Sequence, residues 1–300
     1  MEFSHILALG AAFSWTISGL FGHAPARQLG SLHFNRIRMI MASLWLVPMV
    51  MISGSDFSLA SHHILPVIAS SFVGVVLGDY FLFLSMRRLG PRMTGILFAA
   101  NAPIAAILSW ALLSEVMHIT TILAIIVGFI GIALAVLYGK RRATSHIWEQ
   151  ITPPLWIGVM AGLVAALGQA GGVLILRPVM AEGANPWVAS LVRVLFAAIC
   201  LWAIYPFQSA AKKPQSFATI LSDKSLVMGI IGNGFFGLSF GVALMLWALE
   251  TGPVADVSLL ASISPVLVLP FIWWQTKLVP PIGAWAGALL VVVSSYLLLF

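Results

Sequence analysis

The chain has 300 residues, 61% of them hydrophobic and 8% charged, with a mean hydropathy of +1.05 and a formal charge of +6. Soluble domains carry about 25% charged residues, so a water-soluble fold is excluded and lipid must be the solvent for most of the chain. The positive balance does not indicate nucleic acid, because the basic residues sit in short loops; the single cysteine, Cys200, excludes an intrachain disulfide and a cysteine metal cluster.

Ten apolar segments follow one another, at roughly 4–22, 34–52, 64–86, 92–113, 119–138, 153–176, 187–207, 225–248, 254–275 and 280–299. Each is near the ~20 residues that a membrane crossing needs. Lipid offers the backbone no hydrogen-bond partner, so segments this long must be helices. Segment 1 ends near Ala24-Pro25-Ala26, which looks like a signal-peptide cleavage site. Its leading residues carry no positive charge and its apolar run is long, so it is expected to be retained. The longest polar connections are 139–152 and 208–224, and the first joins two five-helix halves, 1–146 and 147–300.

If the loops alternate, thirteen of the fifteen Lys and Arg residues fall on one side: Arg27, Arg36, Arg38, Arg87, Arg88, Arg92, Lys140, Arg141, Arg142, Lys212, Lys213, Lys224 and Lys277. Only Arg177 and Arg193 fall on the other. The positive-inside rule then places both termini outside the cytoplasm.

The richest stretch is GVVLGDYFLFLSMRRLGPRMTGILFAANAP, from Gly74 to Pro103. Asp79 lies eight residues before Arg87, so about 12 Å inside the membrane at 1.5 Å per residue. A charge at such depth costs about 3 kcal/mol on insertion scales, so it needs a cavity, a cationic partner or a proton. It is a candidate for a substrate ammonium or a proton site, or else for a pair with Arg36 or Arg38. Asn101 and Gln169 can donate and accept, as a zwitterion requires, or can join helices. Tyr80 and Phe83 share a helix face with one another. With Trp15 and Phe98 they form a candidate aromatic wall beside Asp79, and Ser239 is a further candidate contact. Pro103 and Pro265 lie within segments 4 and 9; with Gly90 and Gly252 in the preceding turns they are candidate hinges.

An echo of this stretch recurs 162 residues later, where Thr251-Gly252-Pro253 falls on Leu89-Gly90-Pro91 and Pro265 on Pro103. The glycine pairs Gly74/Gly78 and Gly237/Gly241 correspond at a shift of 163 and mark close helix packing, as do Gly158/Gly162 and Gly283/Gly287. Arg38 aligns with Arg193 in segments 2 and 7. Five spans per half is an odd number, so the second half enters the membrane inverted. The expected fold is all-α, with ten transmembrane helices as two inverted-topology repeats around a central cavity, the arrangement that places substrate near the midplane.

The order of these features resembles the EamA-type members of the drug/metabolite transporter superfamily. They are the Gly-Pro turns before segments 4 and 9, the prolines within them, Arg38 and Arg193, and Glu115 closing segment 4. Among these the chain is most similar to bacterial exporters of neutral and aromatic amino acids. Two features depart from the pattern: Lys277 stands where Glu115 would repeat, and segment 1 lacks the acid of the small multidrug transporters. The resemblance implies a monomeric secondary transporter in the bacterial inner membrane, working by alternating access as a uniporter, exchanger or proton antiporter. A multidrug exporter of the same fold, a channel and a membrane-embedded enzyme are the alternatives.

No P-loop is present, so no ATPase drive is encoded. No cofactor or metal is expected, and His62-His63 reads as loop. Asp79 is the only acid expected inside the membrane, and no reactive pair points to an enzyme.

Overall fold

The computed structural model describes residues 2–138, 154–205, 217–277, 279 and 281–299. The linker 139–152, with Lys140, Arg141 and Arg142, lies outside the described residues, as do Lys212 and Lys213. The described residues form helices α1 (Phe3–Leu29), α2 (Ser31–Ile52), α3 (Ser61–Ser70), α4 (Gly78–Ala99), α5 (Asn101–Leu113), α6 (Ile119–Tyr138) and α7 (Leu155–Ala181). They continue with α8 (Pro186–Ala203), α9 (Phe217–Ser222), α10 (Lys224–Asn233), α11 (Val242–Thr251), α12 (Val254–Ala261), α13 (Ser264–Thr276) and α14 (Ile282–Leu299). Among the described residues nine helical stretches are long and apolar enough to cross a membrane, and Ile282–Leu297 is a shorter apolar helix.

The polar side chains do local work at the helix ends. Asn185 accepts from the backbone N–H groups of Trp187 and Val188, with Pro186 as the first helical residue of α8. Asp223 caps α10 in the same way through Ser225 and Leu226. The short α9 lies in the connection that the sequence reading left as loop.

The chain reverses inside Gly78–Ala99. Ser85 and Thr94 hydroxyls lie 3.1 Å apart, whereas nine residues of straight helix would separate them by about 13.5 Å. Gly90 belongs to this reversal, so the expected turn between segments 3 and 4 is present. Segments 4 and 9, expected as continuous helices with proline kinks, are instead broken. One break falls at Ala100, between α4 and α5, and the other at Ser262–Ile263, between α12 and α13. Pro103 and Pro265 stand in the first turns of α5 and α13. Proline has no N–H to donate and its ring clashes with the carbonyl four residues back, so it is accommodated best where a helix begins.

A second irregularity escaped the sequence reading. Ser71–Leu77 and Gly234–Gly241 are π-helical turns, joining α3 to α4 and α10 to α11. They sit 163 residues apart, as do the left-handed residues Ser114 and Lys277 (φ 55° and 57°), which close α5 and α13.

Packing follows the small residues. α4 runs along α7, and α10 and α11 along α1, while α2 pairs with α8, α5 with α12, and α6 with α14. A Cβ on Gly172 would stand 2.9 Å from the Cα of Gly74, and one on Gly168 3.3 Å from the Cα of Gly78. Bare backbones are thus in contact where α7 crosses the π turn. On the other side, Gly237 faces Ser18 and Gly241 faces the Trp15 ring. Met39, Ala42, Leu46 and Val50 of α2 mesh with Val188, Leu191, Val194 and Leu201 of α8.

Candidate substrate site

Four polar side chains gather inside the bundle from three helices. Asn35 and Arg38 lie one turn apart on α2, Asp79 begins α4 just after the first π turn, and Arg193 sits in the middle of α8. The Asn35 amide donates to Asp79 Oδ2 at 3.1 Å and its oxygen accepts from Arg38 Nε at 2.6 Å. Arg38 donates from Nη2 to the same Asp79 oxygen at 3.2 Å, closing a ring of three. The Arg38 and Asp79 side chains keep 17% and 21% of their surface exposed, so the pair is sheltered without being sealed.

Arg193 is 7% exposed. Its backbone carbonyl accepts from Ser71 Oγ at 2.7 Å, and its guanidinium lies against Gly74, whose missing side chain leaves it room. Among the described residues its Nε has no hydrogen-bond partner. The charges of Asp79 and Arg193 feel each other across the π turn. The cluster therefore holds two guanidiniums and one carboxylate, a net charge of about +1 at a depth where uncompensated charge is costly.

This arrangement corrects the charge count. Arg36 and Arg38 are counted there with one side and Arg193 with the other, but all three lie inside the protein and not at either surface. Arg36 is 1% exposed and donates from Nε to the Leu201 carbonyl at 2.8 Å, with Tyr205 against its guanidinium. Without these three arginines, the expected tally is eleven basic residues on one side against Arg177 on the other. Asp79 is also not the only sheltered acid. Asp256 of α12 is 14% exposed, 3.8 Å from His5, because the N-terminal segment packs over the start of α12.

The other sequence candidates divide. Gln169 lies on α7 where the backbone of that helix abuts Gly78, the residue before Asp79 in the chain. Asn101 belongs to a second group: its amide donates to the Phe98 carbonyl at 2.7 Å and its oxygen accepts from Ser262 at 3.3 Å, so the two helix breaks touch. Trp15 donates to the Gly237 carbonyl at 2.9 Å, and Ser14 to that of Phe236 at 2.6 Å, so α1 satisfies carbonyls of the second π turn. Ser239 is fully buried and its hydroxyl meets the carbonyls of Ala42 and Gly234. Tyr80 is exposed and edge-on to Phe81, while Phe83 and Phe98 are half-buried. Gly252 caps α11, and a Cβ there would collide with Ser4 and the Ala248 carbonyl oxygen.

Sequence reasoning missed Asn35 as a site residue and used Arg193 only in the charge tally and as an alignment mark. The signal for Arg193 was available: it interrupts an apolar run, as Asp79 does. Asn35 carries no such signal, since it sits near a span end.

Glu115 holds a different junction. It accepts from Arg177 Nε at 3.2 Å and from the backbone N–H of Val254 at 2.9 Å, tying the end of α5 to α7 and the start of α12. Glu115→Ala strands both donors and is expected to cost about 1–3 kcal/mol, read as earlier thermal unfolding in detergent. Glu115→Gln keeps one acceptor and is expected to lose less.

The fold is that of a multi-pass helical membrane protein with charged groups held inside it. The sequence places it more closely: the model of the EamA-like transporter family matches residues 2–137 and 156–300, one stretch in each half, and the chain belongs to that family. The family points to a transporter of small molecules, not an enzyme. A solved structure described only as "Crystal structure of protein" superposes with a TM-score of 0.78 at 14% identity, covering 98% of this chain and 96% of that one. At this identity the likeness shows the fold alone. A search of curated proteins found no significant match.

Proposed function

We propose that the protein exports small zwitterionic metabolites, neutral and aromatic amino acids first among them, by alternating access. The observation that carries the reading is the Asn35–Arg38–Asp79–Arg193 cluster. An amino acid brings one carboxylate and one ammonium. The first complements the free donor of Arg193, and the second shares Asp79 with Arg38. A cationic drug would meet a site already positive, which disfavours the multidrug alternative.

The proposed architecture is ten membrane helices in two inverted five-helix repeats, 1–146 and 147–300, around a central cavity. Its support is the family match in each half, the paired π turns, the paired left-handed caps, and the matching contacts of α4 with α7 and α11 with α1. Helices broken at depth are tolerated where they meet a cavity or polar partners, so the breaks at Ala100 and Ser262–Ile263 are the proposed flexing points, with Gly90 and Gly252 at the turns. The positive-inside bias supports a bacterial inner-membrane protein with both termini periplasmic.

The test is counterflow of labelled phenylalanine in proteoliposomes, competed with phenylalanine and with its decarboxylated amine. Wild type is expected to prefer the amino acid, with saturable flux. Arg193→Gln removes a charge-assisted hydrogen bond and is expected to weaken amino-acid competition about ten- to a hundredfold while leaving the amine unchanged. Equal competition by both compounds in wild type overturns the zwitterion reading, and no saturable flux of any amino acid overturns the substrate class.

A further inference from the structure

Away from the candidate substrate site, the first turn of α3 meets the residue that follows α7. His62 and His63 were read as loop, but α3 begins at Ser61 and both lie within it. Successive helical residues point about 100° apart, yet both rings turn to one oxygen. His63 Nε2 is 2.7 Å and His62 Nε2 3.1 Å from Glu182 Oε2. The ring centroids are 4.1 Å apart. A ligand atom from each of the three residues lies within 4.8 Å of the other two.

We propose that His62, His63 and Glu182 form a binding site for a borderline divalent cation such as Zn2+, joining the start of α3 to the end of α7. Two imidazoles and a carboxylate are the donor set such cations select over magnesium or calcium. Bonds of about 2.0–2.2 Å in a tetrahedral site separate ligands by about 3.3 Å, so Glu182 has to part from His63 by roughly 0.6 Å and from His62 by roughly 0.2 Å to admit the ion. His63 is packed and sets the position. His62 and Glu182, 67% and 56% exposed, are free to adjust and leave the fourth position to water. The bridged helices already touch, with Ser70 at the end of α3 donating to the Gly172 carbonyl of α7 at 2.7 Å, so the cation adds to their stability by mass action and is not needed to bring them together.

The experiment is zinc titration of the full-length, tag-free protein in detergent, by calorimetry and by thermal unfolding. Wild type is expected to bind one ion at this site and to unfold at a higher temperature with zinc. His63→Ala and Glu182→Gln are each expected to raise the half-saturating concentration at least about tenfold and to lose the thermal gain. His62→Ala, at an exposed side chain, provides a variant whose folding does not depend on the residue removed. Zinc binding and thermal gain unchanged in all three variants, or no saturable binding in wild type, reduce the trio to an ion pair and overturn the proposal. Neither outcome bears on amino-acid counterflow.

Discussion

Asp79→Asn is expected to lower amino-acid counterflow at least tenfold, and Arg38→Gln in the same chain is expected not to restore it. The double variant separates two roles. If Asp79 serves only as the counter-charge of Arg38, removing both returns the cluster to its original net charge of about +1, carried by Arg193, and flux returns. If Asp79 holds the substrate ammonium, the double variant stays inactive although it folds. The single variant leaves Arg38 and Arg193 inside the membrane with no carboxylate between them. Breaking a buried pair costs about 3–5 kcal/mol, less here because each side chain keeps about a fifth of its surface exposed. The double variant is therefore expected to unfold at a higher temperature than Asp79→Asn, and that ordering checks the pair itself. An imposed pH gradient adds a further distinction. Flux indifferent to the gradient makes the protein a facilitator or exchanger, whereas flux that follows it in wild type and not in Asp79→Asn makes Asp79 a proton site.

Gly287→Ala is expected to destabilise the protein by about 1–3 kcal/mol, a large effect for one methyl group. A Cβ at Gly287 would meet the backbone nitrogen of Ala135, the Gly131 carbonyl oxygen at 2.6 Å and the Ala135 Cα at 2.9 Å. All three are backbone atoms, so no rotamer change relieves the clash and α14 must move away from α6. The seam extends to Gly128, which faces Ser294, and Ser294 donates to the Ala124 carbonyl at 2.8 Å. Separating the helices therefore also loosens a buried hydrogen bond. Gly95→Ala in α4 is the control, since a Cβ there meets nothing within 4 Å. It is expected to be neutral or mildly stabilising by stiffening the unfolded chain. Equal unfolding temperatures for the two variants would refute the seam.

The amino-acid sequence by itself determined the solvent, the all-helical class and the small-residue faces. Those follow from local quantities: apolar length, the absence of backbone partners in lipid, and glycine spacing at one helical turn. The spacing of Asp79 from the basic turn at Arg87 was legible for the same reason, because position along a helix converts directly into distance. Gly74 and Gly287 could be placed at helix contacts before any helix was paired.

Only the tertiary structure decided which polar groups meet. Asp79 is joined to Asn35 across 44 residues and to Arg38 across 41, and its field reaches Arg193 more than a hundred positions away. Such encounters depend on how helices rotate and stack, and a one-residue π insertion alters that rotation. The turn Ser71–Leu77 stands directly before Asp79 and contains Gly74, which faces Arg193. The same rotation leaves Tyr80 exposed although it neighbours Asp79, and seats the Ser239 hydroxyl against backbone carbonyls. His62, His63 and Glu182 converge for a related reason: Gly172, bare of a side chain, lets Ser70 at the end of α3 and Gly74 of the π turn lie close against α7.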